Sequence, residues 1–182
     1  MSYSFSKELQ VLIAATAPSE HETHGKKICS LITGQLDWVA LLKSAVGHNV
    51  VPLLNARLQA LGSDFVPAPI LATLERSAAL IRERAFVLDG ELQRISESLH
   101  QQGITFVPLK GPILARRLYG DVGLRAMRDI DFLVPETHHN QVINALQGMG
   151  YQPPASLTKS QTRCVQEFQG QVCMVHEEGR IA

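Results

Sequence analysis

The chain has 182 residues, enough for one domain with a sizeable core or for a core domain with a small helical extension. Its 17 Lys and Arg residues balance its 17 Asp and Glu residues, which argues against binding to extended nucleic acid or to an anionic membrane surface. No apolar stretch approaches the roughly 20 residues that span a bilayer, and the N-terminus MSYSFSKELQ lacks a signal pattern, so we expect a cytoplasmic protein without a membrane segment.

Apolar residues recur at helical spacing in four stretches before Gly62. Asp37 is placed to cap the third helix, Asn49 starts the fourth, and Gly62 ends it. The four predicted helices cover residues 6–17, 22–32, 37–46 and 49–61. The proline-containing segment SDFVPAPI then marks the best boundary in the chain. We therefore expect a helical N-terminal region over residues 1–66 and a second domain over residues 67–182.

The second domain begins with a long helix and continues as alternating strands and helices. Apolar spacing predicts a helix over residues 69–100, with Gly90 as one weak point and Gly103 after its end. The period then changes to short apolar runs, which indicate buried strands. The further predicted elements are a strand over residues 104–109, a helix over 111–118, a strand over 129–134, a helix capped by Thr137 that reaches Gly148, and a third strand over 172–175.

Two aspartates, Asp129 and Asp131, interrupt the apolar run of the second strand. Residues i and i+2 of a strand point to the same face about 7 Å apart, so both carboxylates can converge on one cation. Burial of a carboxylate without a partner is unfavourable, and a divalent cation would compensate for it. Magnesium often binds through one or two carboxylates and substrate phosphates, which makes phosphoryl-group chemistry the first hypothesis. The alternative is a turn or a capped helix, since both use the same Asp-x-Asp pattern.

Lys110 and Gly111 lie where the first predicted strand turns directly into a helix. Such a turn presents backbone amides and the positive end of a helix to a phosphate, and Lys110 adds a positive charge. A side chain at position 111 would keep the phosphate from the backbone. The alternative is an ordinary strand-to-helix turn with a surface lysine. If the two strands are adjacent, this turn and the aspartates face the same cleft, which suits nucleotide binding.

Arg125 and Arg128 come just before the aspartates. Their guanidinium groups can hold phosphate oxygens in bidentate contacts. They can equally pair with Asp121, with Asp129 or with helix carboxylates, and both alternatives stay open. Tyr119 either stacks on a base or is a half-buried aromatic residue at a helix end.

The stretch LKGPILARRLYGDVGLRAMRDIDFLV closely resembles the signature of an uncharacterised bacterial nucleotidyltransferase family within the DNA polymerase beta-like superfamily. The upstream stretch DWVALLKSAVGHNVVPLLNARL resembles the helical region of the same family, so the resemblance covers residues 37–151. It implies an α+β fold, a small mixed sheet with flanking helices, preceded by a helical N-terminal region. It also implies that Asp129 and Asp131 hold two magnesium ions against a nucleoside triphosphate, whose phosphates contact Lys110 and Gly111.

One departure concerns a third carboxylate, which the superfamily supplies from a later strand. The matching strand here reads VCMVHEE, with Met174 at the acidic position. Glu177 falls on the opposite strand face from Met174, which leaves Glu178 as the better replacement. The chain also ends where the family is expected to continue into further helices, so we expect a core truncated at its C-terminal end.

The resemblance implies a magnesium-dependent nucleotidyltransferase that moves a nucleoside monophosphate from a nucleoside triphosphate to an acceptor hydroxyl. The balanced charge favours a small-molecule or protein acceptor over nucleic acid. The alternative is a catalytically impaired module of the same fold that binds a nucleotide or a protein partner, which the missing third carboxylate supports. A purely helical interaction scaffold would leave the aspartate pair unexplained.

Overall fold

The structure is a computed structural model that describes residues 5–17, 22–154 and 172–176, except for the side chains of residues 22–24. It has the predicted α+β composition. The helices are α1 (Lys7–Thr16), α2 (Glu22–Ile32), α3 (Trp38–Gly47), α4 (Val51–Leu61), α5 (Ala68–Gln101), α6 (Gly111–Tyr119) and α7 (His139–Gly148). The strands are β1 (Val107–Leu109), β2 (Asp131–Leu133), β3 (Tyr151–Gln152) and β4 (Val175–His176), and 3-10 turns cover Val122–Leu124 and Glu136–His138. Within the described ranges, no helix has the length and apolarity needed to cross a membrane.

The chain divides into two compact units, each built from two stretches of sequence. The first unit comprises Met1–Val87 and Pro112–Met127, and the second comprises Leu88–Gly111 and Arg128–Ala182. The domain boundary that the sequence predicts between residues 66 and 67 stays a prediction.

The first unit has a core formed by helices, as the apolar spacing predicts. Its largest fully buried side chains include Ile28, Leu41, Leu54, Leu58 and Leu74. The predicted cap of α3 is confirmed, because the amide of Ala40 donates to Asp37 Oδ1 over 2.9 Å. Gly62 ends α4 as expected, with φ of 77°. The start of α4 differs, because Asn49 has a left-handed φ of 58° and the helix begins at Val51.

Helix α5 runs without a break through Gly90, whose weak helix propensity is outweighed by packing. In the second unit its buried face carries residues at helical spacing, which are Leu88, Leu92, Ile95 and Leu99. The turn after α5 contains Gly103 in a left-handed conformation, with φ of 68°, so the predicted end of the helix is confirmed.

Strands β1 and β2 form a two-stranded antiparallel sheet in which Leu109 lies opposite Asp131 and Val107 opposite Leu133. The prediction of two longer, buried strands is wrong. All three of these leucine and valine side chains are exposed, because one face of the described pair is uncovered. The other face is packed, with the rings of Phe106 and Phe132 in edge contact at a centroid distance of 5.6 Å.

Strands β3 and β4 form a second antiparallel pair, in which Tyr151 lies opposite His176. The third strand predicted over residues 172–175 is therefore displaced towards the C-terminus, and only Val175 belongs to both ranges. In the described part of the chain this pair is separate from the β1–β2 sheet.

The predicted cap of α7 is also wrong. Thr137 lies inside the 3-10 turn, and His138 precedes the helix without a side-chain capping bond. His138 Nδ1 instead accepts a hydrogen bond of 3.1 Å from the amide of Thr105, which joins the segment before β1 to the segment before α7.

Candidate functional site

The antiparallel pairing of β1 and β2 brings Lys110 to Asp131. Because Leu109 lies opposite Asp131, the residue that follows β1 reaches the same carboxylate, and Lys110 Nζ lies 3.1 Å from Asp131 Oδ2. The lysine side chain is 67% exposed and the aspartate side chain 37% exposed, so the ion pair is accessible to solvent and to solutes.

The backbone of the turn between β1 and α6 is left-handed at two consecutive residues. Lys110 has φ of 50° and Gly111 has φ of 39°. A Cβ atom at position 111 would lie 3.9 Å from the backbone oxygen of Asp129, an ordinary contact distance. The backbone conformation, rather than a lack of space, is therefore the reason that position 111 favours glycine. The 3.9 Å distance also shows that the turn lies beside the segment that leads into β2.

Asp129 lies before β2 rather than inside it, and its side chain is exposed. The expectation that both aspartates are buried in an apolar strand is therefore wrong. The apolar composition of the segment arises from Ile130, which is buried, and from Phe132, which is half-buried. Two carboxylates that reach solvent and lie two residues apart in the sequence can bind a cation without first losing their hydration to the protein.

The donor chemistry of this acidic pair fits magnesium, which prefers carboxylate oxygens. In the structure the carboxylate of Asp131 already has a cationic partner, the ammonium group of Lys110. Among the residues that the structure describes, no group of three or more His, Cys, Asp or Glu side chains is arranged to hold a metal ion. Glu177 and Glu178, the predicted replacements for a third carboxylate, lie outside those residues. Met174 is described, and it is only 5% exposed.

The two predicted phosphate-binding arginines belong to different units. Arg128 is exposed and directly precedes Asp129 in the second unit. Arg125 is half-buried in the first unit, where it follows the 3-10 turn Val122–Leu124. Asp121 caps that turn by accepting a 2.8 Å hydrogen bond from the amide of Gly123.

Tyr119 is the last residue of α6 and is half-buried. This placement agrees with a half-buried aromatic residue at a helix end, one of the two alternatives that the sequence left open.

The sequence did not predict a polar cluster in the second unit, in which Glu91 and Tyr151 are buried and Arg94 is exposed. Glu91 is 7% exposed, and its carboxylate accepts hydrogen bonds from the Tyr151 hydroxyl and from Arg94 Nε, the latter at 3.1 and 3.0 Å. His176 closes the cluster, with its ring edge against Tyr151 at 5.0 Å and its Nε2 atom 3.1 Å from the carbonyl oxygen of Met149.

The electrostatics of this cluster follow from its burial and its hydrogen bonds. Burial alone would raise the pKa of the Glu91 carboxyl, but hydrogen bonds from Arg94 and Tyr151 outweigh burial and lower that pKa. Burial, followed by the hydrogen bond to Glu91, raises the pKa of Tyr151 far above its usual range. The cluster therefore holds an ionised glutamate and a neutral tyrosine at neutral pH.

The only sequence signal for this cluster is the spacing of Glu91 and Arg94, which lie three residues apart on a helix. Tyr151 is separated from Glu91 by 60 residues, and no local pattern connects them.

Comparisons with known proteins give one family. Residues 34–178 match the model of a protein family described as an uncharacterised nucleotidyltransferase. Neither the search of curated proteins nor the search of solved structures gave a significant match. Because the family match covers most of the 182 residues, the resemblance is confirmed and the chain belongs to this family of uncharacterised nucleotidyltransferases.

Proposed function

We propose that the protein is a magnesium-dependent nucleotidyltransferase that moves a nucleoside monophosphate from a nucleoside triphosphate to an acceptor hydroxyl. The observation that carries the proposal is the 3.1 Å pair of Lys110 and Asp131 beside the exposed Asp129, within a chain that belongs to a nucleotidyltransferase family. An ammonium group that can bind phosphate lies against a carboxylate that can bind a cation, and a second carboxylate, Asp129, is two residues away in the sequence. Transfer of a phosphorylated group needs this combination of charges, which supports the proposal.

In this proposal Asp129 and Asp131 hold magnesium, and Lys110 binds the phosphates together with the backbone amide of Gly111. Two magnesium ions, when bound, activate the attacking hydroxyl and stabilise the pyrophosphate leaving group. The residues of the chain contribute position and charge, because an in-line displacement needs its reactants aligned and its developing charge neutralised. Arg128, next to Asp129, and Arg125 are the further proposed phosphate ligands, and Glu178 is the proposed third carboxylate.

The proposed acceptor is a hydroxyl of a small molecule or of a protein. The equal numbers of acidic and basic residues give no long positive field for a nucleic acid backbone to follow. The proposed location is the cytoplasm. A protein partner, if it carries the acceptor hydroxyl, is the proposed substrate of the transfer.

The test is transfer of label from each of the four α-labelled nucleoside triphosphates in the presence of magnesium. Asp129→Asn and Asp131→Asn remove one charge each, and Asp64→Asn is the matched control because Asp64 is an exposed aspartate elsewhere in the chain. We expect transfer by the wild type and the control, and a loss of at least about a hundredfold in both site variants. An unchanged rate of label transfer in both site variants would show that Asp129 and Asp131 do not form the catalytic site.

A second function is favoured by one observation, the burial of Met174, the residue that the family resemblance aligns with an acidic position. In this alternative the protein binds nucleotide without turnover, as a nucleotide-binding or protein-interaction module. Calorimetry with each triphosphate, together with an assay for pyrophosphate, separates the two functions. Magnesium-dependent binding without pyrophosphate release supports the module, and pyrophosphate release excludes it.

A further inference from the structure

We propose that Lys110 is an exchangeable counter-cation of the acidic pair, bound to Asp131 without nucleotide and moving to the triphosphate when nucleotide binds. The inference rests on the proposed function and adds a coupling between its two ligands. Divalent cation and nucleotide then bind cooperatively, since the lysine that opposes the cation at Asp131 is removed by the nucleotide.

The first step is competition for one carboxylate. The Lys110 ammonium lies 3.1 Å from Asp131 Oδ2, whereas a magnesium ion would lie about 2.1 Å from a carboxylate oxygen that it binds. A divalent cation bound there would meet a positive charge at close range, and like charges repel. In the absence of nucleotide, Lys110 therefore weakens the binding of a divalent cation to Asp131.

The second step is the ease of exchange. An exposed ion pair contributes little to stability, and here the lysine side chain is 67% exposed. The flexible four-carbon stem of lysine lets the ammonium group move, while the backbone of residues 107–109 is held by pairing with β2. Only a side-chain rotation is needed to release Asp131.

The third step is the destination of the ammonium group. A triphosphate carries several negative charges, which attract an ammonium ion more strongly than one carboxylate does. Once Lys110 contacts the phosphates, Asp131 has lost its counter-cation and binds a divalent cation more tightly. Linkage requires the reverse effect as well, so that a bound divalent cation favours the movement of Lys110 and tightens nucleotide binding.

The experiment measures Mn²⁺ binding to the nucleotide-free full chain by electron paramagnetic resonance. The variants are Lys110→Met, which removes the charge and keeps the stem, and Lys43→Met as a matched control at an exposed lysine of α3. We expect Lys110→Met to tighten Mn²⁺ binding about two- to fivefold, the factor that corresponds to an exposed ion pair, and Lys43→Met to leave it unchanged. Lys110→Asn, whose residue type tolerates a left-handed backbone, gives the same measurement should the methionine variant fold poorly.

The second measurement is the affinity for an α,β-imido nucleoside triphosphate with and without Mn²⁺. Wild type should bind the analogue more tightly with the metal, and in Lys110→Met this enhancement should shrink by the factor gained in Mn²⁺ affinity. Mn²⁺ binding that is unchanged or weakened in both Lys110 variants, alongside metal and analogue binding by wild type, overturns this inference alone. Absence of both metal and analogue binding in wild type overturns the proposed function as well.

Discussion

The hydroxyl of Tyr151 donates a hydrogen bond to the carboxylate of Glu91, and this contact joins β3 to α5 across 60 residues of sequence. Both residues are buried, so the bond lies in a region where an unpaired carboxylate is unfavourable. The β3–β4 pair is short, with only two residues in each strand, and this polar contact is one reason that it has a defined position against α5 in the second unit.

Substitution of Tyr151→Phe should lower the free energy of unfolding by about 1–3 kcal/mol, since the buried Glu91 carboxylate loses a donor while the ring is retained. Urea denaturation followed by circular dichroism measures the change. Tyr119→Phe is the matched control, because it removes the hydroxyl of a half-buried tyrosine at the end of α6. Equal stability of Tyr151→Phe and wild type would mean that the hydrogen bond is not formed in solution.

Acid should destabilise the protein partly through Glu91. Its pKa is lowered in the folded state below the ordinary value of 4.5, so its contribution to stability is present above that value and is lost as the pH falls through the folded pKa. Urea midpoints measured from about pH 6 down to about pH 3 should fall more steeply in wild type than in Glu91→Gln. Identical pH profiles would contradict the lowered pKa.

Two glycines of the second unit should respond in opposite directions to alanine. Gly111 has a left-handed φ of 39°, so Gly111→Ala should destabilise by about 1 kcal/mol. Gly90 lies inside α5 with no atom within 4 Å of an added Cβ, so Gly90→Ala should stabilise by about 0.5–1 kcal/mol. Thermal unfolding of both variants tests the pair, and destabilisation by Gly90→Ala would contradict the continuous helix.

A third glycine, Gly123, lies against the side chain of Arg82 in the first unit. A Cβ atom at position 123 would be 2.6 Å from Arg82 Cγ, so Gly123→Ala should destabilise by about 1–3 kcal/mol. Arg82→Ala removes the clashing atoms, and the double variant should lose less stability than the sum of the two single changes. Additive losses would show that the two residues are not in contact.

The N-terminal helices were predictable because their signals are local. The spacing of apolar residues, the cap at Asp37 and the left-handed Gly62 are each determined within a few positions of sequence. Strand limits are not local, because a residue belongs to a strand only where a partner pairs with it. Asp129 belongs to the same stretch of sequence as β2, but no residue of β1 lies opposite it, because β1 extends only from Val107 to Leu109.

For the candidate site, the sequence predicted which residues come together but not how exposed they are. That Lys110 and Asp131 meet follows from two neighbouring strands, and the sequence suggested such neighbours. That Asp129 is exposed and Asp131 only half-buried could not be read from the apolar run, because composition does not tell which sheet face is covered. The pairing of Glu91 with Tyr151 depends on the packing of α5 against β3, which sequence spacing alone does not contain.

Position 110 is under two opposing demands. Its backbone, with φ of 50°, suits glycine or asparagine, whereas its contact with Asp131 requires a long cationic side chain. Lysine satisfies the second demand and leaves strain of about 1 kcal/mol in the turn. Selection for folding alone would relieve that strain by substitution at this position. We therefore expect random variants selected only for stability to lose Lys110 early, and variants selected for activity to keep it.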